Sequence, residues 1–227
     1  MDWTTVFILE YLGPILIHPF FILIRPYIFN NPAPLSTSQW LSMAMIVAHF
    51  LKREYETIYV HKFSLSTMPA SNIWWNCGWY WLGAGLNIAP WIYAPFAYTA
   101  KSSPLITYVD ILGVVLYLYG EVSNYITHVT LSNLRTRGGT ERGIPQGYGF
   151  NIVTCPNYMF EMVSWLGMLL VSKSLGTVIF IGLAGWKMNE WAIKKEKAYR
   201  AEFPETYKKK RNAIIPSVGG VIKALTG

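Results

Sequence analysis

The sequence is poor in charge, in cysteine and in the motifs of soluble enzymes. Only 14% of its 227 residues are charged, against about 25% in a soluble domain. Two cysteines, Cys77 and Cys155, give neither a disulfide framework nor a cysteine metal site. The four histidines, at 18, 49, 61 and 128, lack metal-ligand spacing, so no metal is expected. No glycine-rich dinucleotide fingerprint, Walker motif, HExxH or GxSxG occurs, which removes the common nucleotide, zinc and serine-hydrolase folds. Repeats, low-complexity tracts and linkers are also missing, and one membrane domain over 1–227, ending in a cytosolic tail from about residue 200, is the expectation. The first apolar stretch is too long for a signal peptide and carries Glu10, so it reads as a retained helix.

What is abundant is apolar and aromatic. Hydrophobic residues make up 52% of the chain, with 10 Trp, 15 Tyr and 11 Phe, and mean hydropathy is +0.28. Apolar stretches near 4–29, 38–60, 73–97, 105–128, 158–172 and 174–193 mostly approach the roughly 20 residues that cross a bilayer. They predict an all-α membrane bundle of about six spans. Polar and proline interruptions in the first and third leave five or seven open. Ser172-Lys173-Ser174 predicts a tight helical hairpin between the last two. The net charge is +7, clustered at 52–62, 135–142, 194–200 and 208–211. With six crossings these clusters share a side with both termini, and the positive-inside rule makes that side cytosolic. Because the clusters cap apolar helices, anionic headgroups or a phosphorylated ligand explain them better than nucleic acid.

Several polar residues sit on the spans. Glu10, just before Gly13-Pro14, fits either the headgroup level or an internal cavity beside a proline kink. Lys52 and Glu56 are one turn apart and pair on one helix face, with Arg53, Thr57 and His61 on a neighbouring one. This fits a solvated helix end as well as a buried ladder. Asn72 and Asn76 share a face, Trp74, Trp75, Trp79 and Trp81 suit an interfacial belt, and Asp110 suits the headgroup level.

The densest polar chemistry lies at 121–161. Asn124, His128 and Arg135 are spaced to share one helical face, followed by a loop with Arg137, Gly138, Gly139, Arg142 and Gly143. Asn157 and Glu161, one turn apart, open the next apolar segment with Tyr158 between them. Arginine forks and close-approaching glycine backbone suit phosphate groups. Asn and Glu inside the bilayer suit an amide or a ribose, and Tyr158 a proton donor. A positive-inside loop followed by a helix capped by Asn157 accounts for each residue singly, and for the set less well.

HFLKREYETIYVHKFSLSTMPASNIWWNCGWYW, GEVSNYITHVTLSNLR, TCPNYMFEMVSW and EFPETYKKKRNAIIP resemble the membrane domain of the steroid 5-alpha-reductase family, in its very-long-chain trans-2-enoyl-CoA reductase branch. The resemblance runs from about residue 4 to about 217, without the soluble N-terminal domain of longer members. It implies NADPH-dependent reduction of a trans-2-enoyl-CoA to the saturated acyl-CoA in fatty-acid elongation, in the endoplasmic-reticulum membrane among other elongation enzymes. By position it implies cofactor contacts at Arg53, Asn124, His128, Arg135, Arg142, Asn157, Glu161, Lys195 and Tyr199. It places the catalytic acid at Tyr158 and the carbonyl grip at Glu10. Lys52, or a protonated Glu10, is the expected donor to the thioester oxygen. Phe50 stands where the steroid branch has a carbonyl-binding Tyr, and His128 and Lys195 replace its Asp and His. Phe50 speaks against a 3-keto steroid handled in the same way. Reduction of a steroid or polyprenol by the same fold, and a non-catalytic lipid-binding subunit, are the alternatives.

Overall fold

A computed structural model describes residues 1–64, 66–101, 103–208 and 212–217. Most of the last basic cluster, 209–211, therefore lies outside the described residues. Helix α1, Trp3–Ile28, starts at Asp2, whose carboxylate accepts from the Thr5 amide at 2.9 Å. It runs through Pro14, Pro19 and Pro26. At Gly13 an added Cβ would lie 2.1 Å from the Trp81 ring, and this opening lets the indole donate to the Leu9 carbonyl at 2.9 Å. Helix α2, Thr37–Tyr55, opens with a Ser36/Gln39 capping box and continues as a π turn, Glu56–Val60.

The third apolar stretch is not one rod. It divides into α3, Ile73–Gly78, a π segment, Trp79–Leu86, and α4, Ala89–Tyr93, where Pro90 sits in the first turn and suits a helix start. Helix α5, Pro104–Asn133, is the longest. Helix α6, Pro156–Ser172, and α7, Leu175–Glu202, are joined through Lys173 in the left-handed region, the expected hairpin. Among the described residues there is no strand, only two isolated bridges, one of which ties Ser64 to Gly138.

Helices α5 and α6 are packed backbone to backbone. A Cβ on Gly113 would lie 2.7 Å from the Gly167 carbonyl, and one on Gly120 2.4 Å from the Ser164 amide. Small residues facing each other are how apolar helices approach closely where lipid offers no hydrophobic drive. The main core gathers Tyr11, Ile46, Phe50, Ile88, Ile92, Tyr93, Trp165 and Met168 between α1, α2, α4 and α6. Polar anchors thread it: His18 meets the Tyr93 hydroxyl and the Ala84 carbonyl, both at 2.9 Å.

The outside of the bundle is apolar. Leu23 of α1 is 71% exposed, Val115 of α5 57% and Trp186 of α7 64%, a surface suited to lipid. By length and hydropathy α1 and α5 can each cross a membrane. Trp74 and Trp75 are largely exposed. Asp110, near the start of α5, is buried among helix ends: it accepts from Ser38 at 2.5 Å and pairs with Lys173. An unpaired buried carboxylate would be costly, and this lysine from the hairpin supplies the partner.

Candidate functional site

The ends of α2 and α5, the start of α6 and the far part of α7 enclose a cavity of about 310 Å³, which also reaches α1. Arg53, Arg135, Arg142 and Lys195 line it, with Lys62. Glu141 is the acidic residue on the wall. The basic clusters at 52–62, 135–142 and 194–200 thus meet at one end of the bundle. The loop is carried there by Ser132, which donates to the Val60 carbonyl at 2.5 Å, and by the Gly138 amide on the Phe63 carbonyl at 3.2 Å. Gly138 has φ 77°, a left-handed turn that glycine adopts without strain.

Of the residues singled out in the sequence, Arg53, His128, Arg135, Arg142, Asn157, Tyr158, Lys195 and Tyr199 reach the cavity wall. Arg135 does so from beyond the helix: α5 ends at Asn133 with Leu134 as its cap, so the expected shared face stops at His128. Asn157 is not the cap of α6. Cys155 holds that place and Asn157 is the second residue of the helix. Burial raises the Cys155 thiol to about 11, so it stays protonated at neutral pH. The Asn157 carboxamide oxygen is buried and has no hydrogen-bond partner among the described residues.

Asn124, Glu161, Lys52 and Glu10 are off the wall. The first three belong to a buried polar layer behind it. Asn124 donates to the Asn157 carbonyl at 2.9 Å and to Glu161 at 3.1 Å, and accepts from Lys52. Lys52 also faces Glu56 at 3.1 Å, the expected one-turn pair, and Glu121 at 3.2 Å. His49 stands between Glu121 and Glu161, at 2.7 and 3.3 Å. Glu56 completes the layer with Arg53 and with His128 at 3.1 Å. Three carboxylates, Glu56, Glu121 and Glu161, are thereby met by Lys52, Arg53 and two histidines, which is what makes their burial tolerable. Glu10 is buried elsewhere, against Asn76 of α3.

Glu56, His61 and His128 have the composition of a metal site, with ligand atoms within 4.8 Å of one another. The Arg53 guanidinium occupies that place, paired to Glu56 and 3.1 Å from the His128 ring nitrogen. Burial, and then the Arg53 charge, lower His61 to about 3, so it is neutral at physiological pH.

The family described as 3-oxo-5-alpha-steroid 4-dehydrogenase matches residues 66–219. The chain belongs to this family. Among its relatives is a Schizosaccharomyces pombe protein bearing the name of an enoyl reductase, 42% identical over 95% of this chain and 72% of its own length. The very-long-chain enoyl-CoA reductase of Dictyostelium discoideum is 39% identical over 95% of this chain and 70% of its own. The human trans-2,3-enoyl-CoA reductase-like protein is 31% identical over 96% and 61%. The family match covers α3 to α7, including the loop between α5 and α6. The pairwise similarities extend it to nearly the whole chain and so include α1 and α2, which bring Tyr11 and Arg53 to the cavity.

Sequence reasoning missed His49, Glu121 and Tyr11. An acidic residue inside an apolar span, as Glu121 is, was the available signal. His49 and Tyr11 gave none, because each reads as an ordinary core residue until its neighbours are known.

Proposed function

We propose that this chain is a membrane-embedded reductase that uses NADPH to reduce a long trans-2-enoyl-CoA to the saturated acyl-CoA. One observation carries the reading. The cavity wall brings the cations Arg135, Arg142 and Lys195 together with Tyr158 and with Asn157, whose buried carboxamide oxygen has no hydrogen-bond partner among the described residues. The names of its relatives support the substrate class.

The residues present fit a phosphorylated nicotinamide nucleotide. Arg135, Arg142 and Lys195 are the hydrogen-bond donors for its phosphates, and Tyr199 borders the adenosine end. The Asn157 oxygen is the free acceptor for a carboxamide N–H, and satisfying it removes the cost of an orphaned buried group. Asn124 and Glu161 hold α5 to α6 behind it, so that the oxygen is pre-positioned. Bound there, the cofactor supplies the hydride for the β-carbon. Tyr158 gives the proton to the α-carbon as general acid. Phe7, Phe63, Leu131 and Leu134 furnish the apolar walls that exclude water.

The same reading puts the basic end of the bundle on the cytosolic side of the endoplasmic-reticulum membrane. There CoA stays in water, the acyl chain enters the bundle, and the product returns to the fatty-acid elongation cycle. Phe50, buried and without a hydroxyl, weighs against a 3-keto steroid. The test uses purified chain in detergent, NADPH and a long trans-2-enoyl-CoA, with an enone steroid and a polyprenal as comparators. Enoyl-CoA should drive NADPH consumption. Tyr158→Phe should retain cofactor binding and lose about 10²–10⁴-fold in turnover. Unchanged turnover removes Tyr158 from the mechanism, and absence of NADPH binding refutes the reductase in favour of a lipid-binding subunit.

A further inference from the structure

Hydride addition to the β-carbon moves the alkene pair toward the thioester carbonyl, so negative charge develops on its oxygen. The pair then returns to form the bond between the α-carbon and the proton from Tyr158, whose phenolate is reprotonated from water. A donor aimed at that oxygen is therefore needed, and the expected ones are poorly placed. Lys52 is turned to Asn124, Glu56 and Glu121, and neither it nor Glu10 reaches the wall. Phe50 has no hydroxyl to give.

We infer, on the reductase reading above, that Tyr11 of α1 is the catalytic hydrogen-bond donor to the thioester oxygen. Its side chain is buried at 3% exposure yet lines the cavity that Tyr158 borders from α6. Its hydroxyl oxygen accepts from Arg53 at 3.1 Å, and the same guanidinium lies 5.4 Å from the ring centre. Among the described residues no acceptor takes the hydroxyl's own proton. A phenol that accepts a charge-assisted bond while its proton stays free is a strengthened donor toward an incoming oxygen.

The ring is fixed by Phe7 at 5.8 Å, Phe50 at 6.0 Å and, edge-on, Tyr80 at 5.1 Å between centroids. Tyr11 and Phe50 are thus neighbours. The hydroxyl missing from α2 at Phe50 is supplied from α1. Two phenols then divide the work: Tyr11 stabilises the oxygen, and Tyr158 protonates the carbon.

Tyr11→Phe removes one oxygen atom and keeps every ring contact. The full chain in detergent is assayed for NADPH affinity by fluorescence and for single-turnover hydride transfer at saturating NADPH and enoyl-CoA. The expected result is a cofactor Kd within about twofold of wild type, with single-turnover rate and kcat lowered about 10²-fold or more. A rate within about threefold of wild type overturns the inference. So does a loss that tracks a matching loss of cofactor affinity, because Tyr11 would then only hold Arg53 in place. A wild-type chain that fails to reduce enoyl-CoA overturns the reductase reading and this inference with it. An active wild type with an unimpaired Tyr11→Phe overturns this inference alone.

Discussion

Gly167→Ala tests whether the close approach of α5 and α6 sets the site. An ideal Cβ at this position would lie 2.4 Å from the Gly113 carbonyl oxygen and 2.4 Å from the Tyr117 amide nitrogen. Both obstacles are backbone, so no rotamer change relieves them, and ordinary contact requires the helices to part by about 1 Å. Overpacking of this kind costs about 1–3 kcal/mol, and alanine's better helix propensity returns up to about 1 kcal/mol. With the middle of that cost and the full return, the net loss is about 1 kcal/mol, which corresponds to roughly 2–4 °C in midpoint for a chain of this size. The functional effect should be larger. Asn124 on α5 and Glu161 on α6 are 3.1 Å apart, and opening by about 1 Å breaks that bond and shifts Asn157 with it. A misplacement of about that size can cost on the order of 10²-fold in rate. Thermal unfolding in detergent and NADPH-coupled turnover measure the two effects. Gly182→Ala on α7 is the control, since a Cβ there meets nothing within 4 Å. A Gly167→Ala protein with wild-type midpoint and turnover would refute the argument.

Two further perturbations probe the layer behind the cavity and its rim. Glu56 is fully buried between Lys52, Arg53 and His128. Glu56→Gln should therefore destabilise by about 3–5 kcal/mol, as breaking one partner of a buried ionic group does, and an unfolding midpoint unchanged from wild type would contradict the charge balance described. His61 is held at about 3, below its ordinary 6.5, by burial and then by the Arg53 charge. The unfolded chain binds the proton first, so its contribution to stability is full above about pH 6.5 and is lost progressively as pH falls toward 3. Midpoints measured from pH 7.5 to 5 should fall, and His61→Gln should flatten the slope; equal slopes would exclude His61 as the source.

The sequence by itself determined the helical class and the two clearest spans, because runs of apolar residues of bilayer length admit no other economical backbone. It also determined the hairpin at Lys173 and the Lys52–Glu56 pair, both of which are local. The third stretch divided because Gly78, Gly83, Gly85 and Pro90 let tertiary contacts reshape it. Only the tertiary structure decided which polar residues reach the cavity and which stand behind it. Helical spacing fixes the face a residue occupies, but not what that face meets. Lys52 meets Asn124, and His49 meets Glu121, across 72 residues of sequence. Arg135 reaches the wall through the turn after α5 rather than along its face. Tyr11 becomes a candidate donor only where α1 crosses Arg53 of α2. Such encounters follow from the packing of whole helices, which no spacing along one segment encodes.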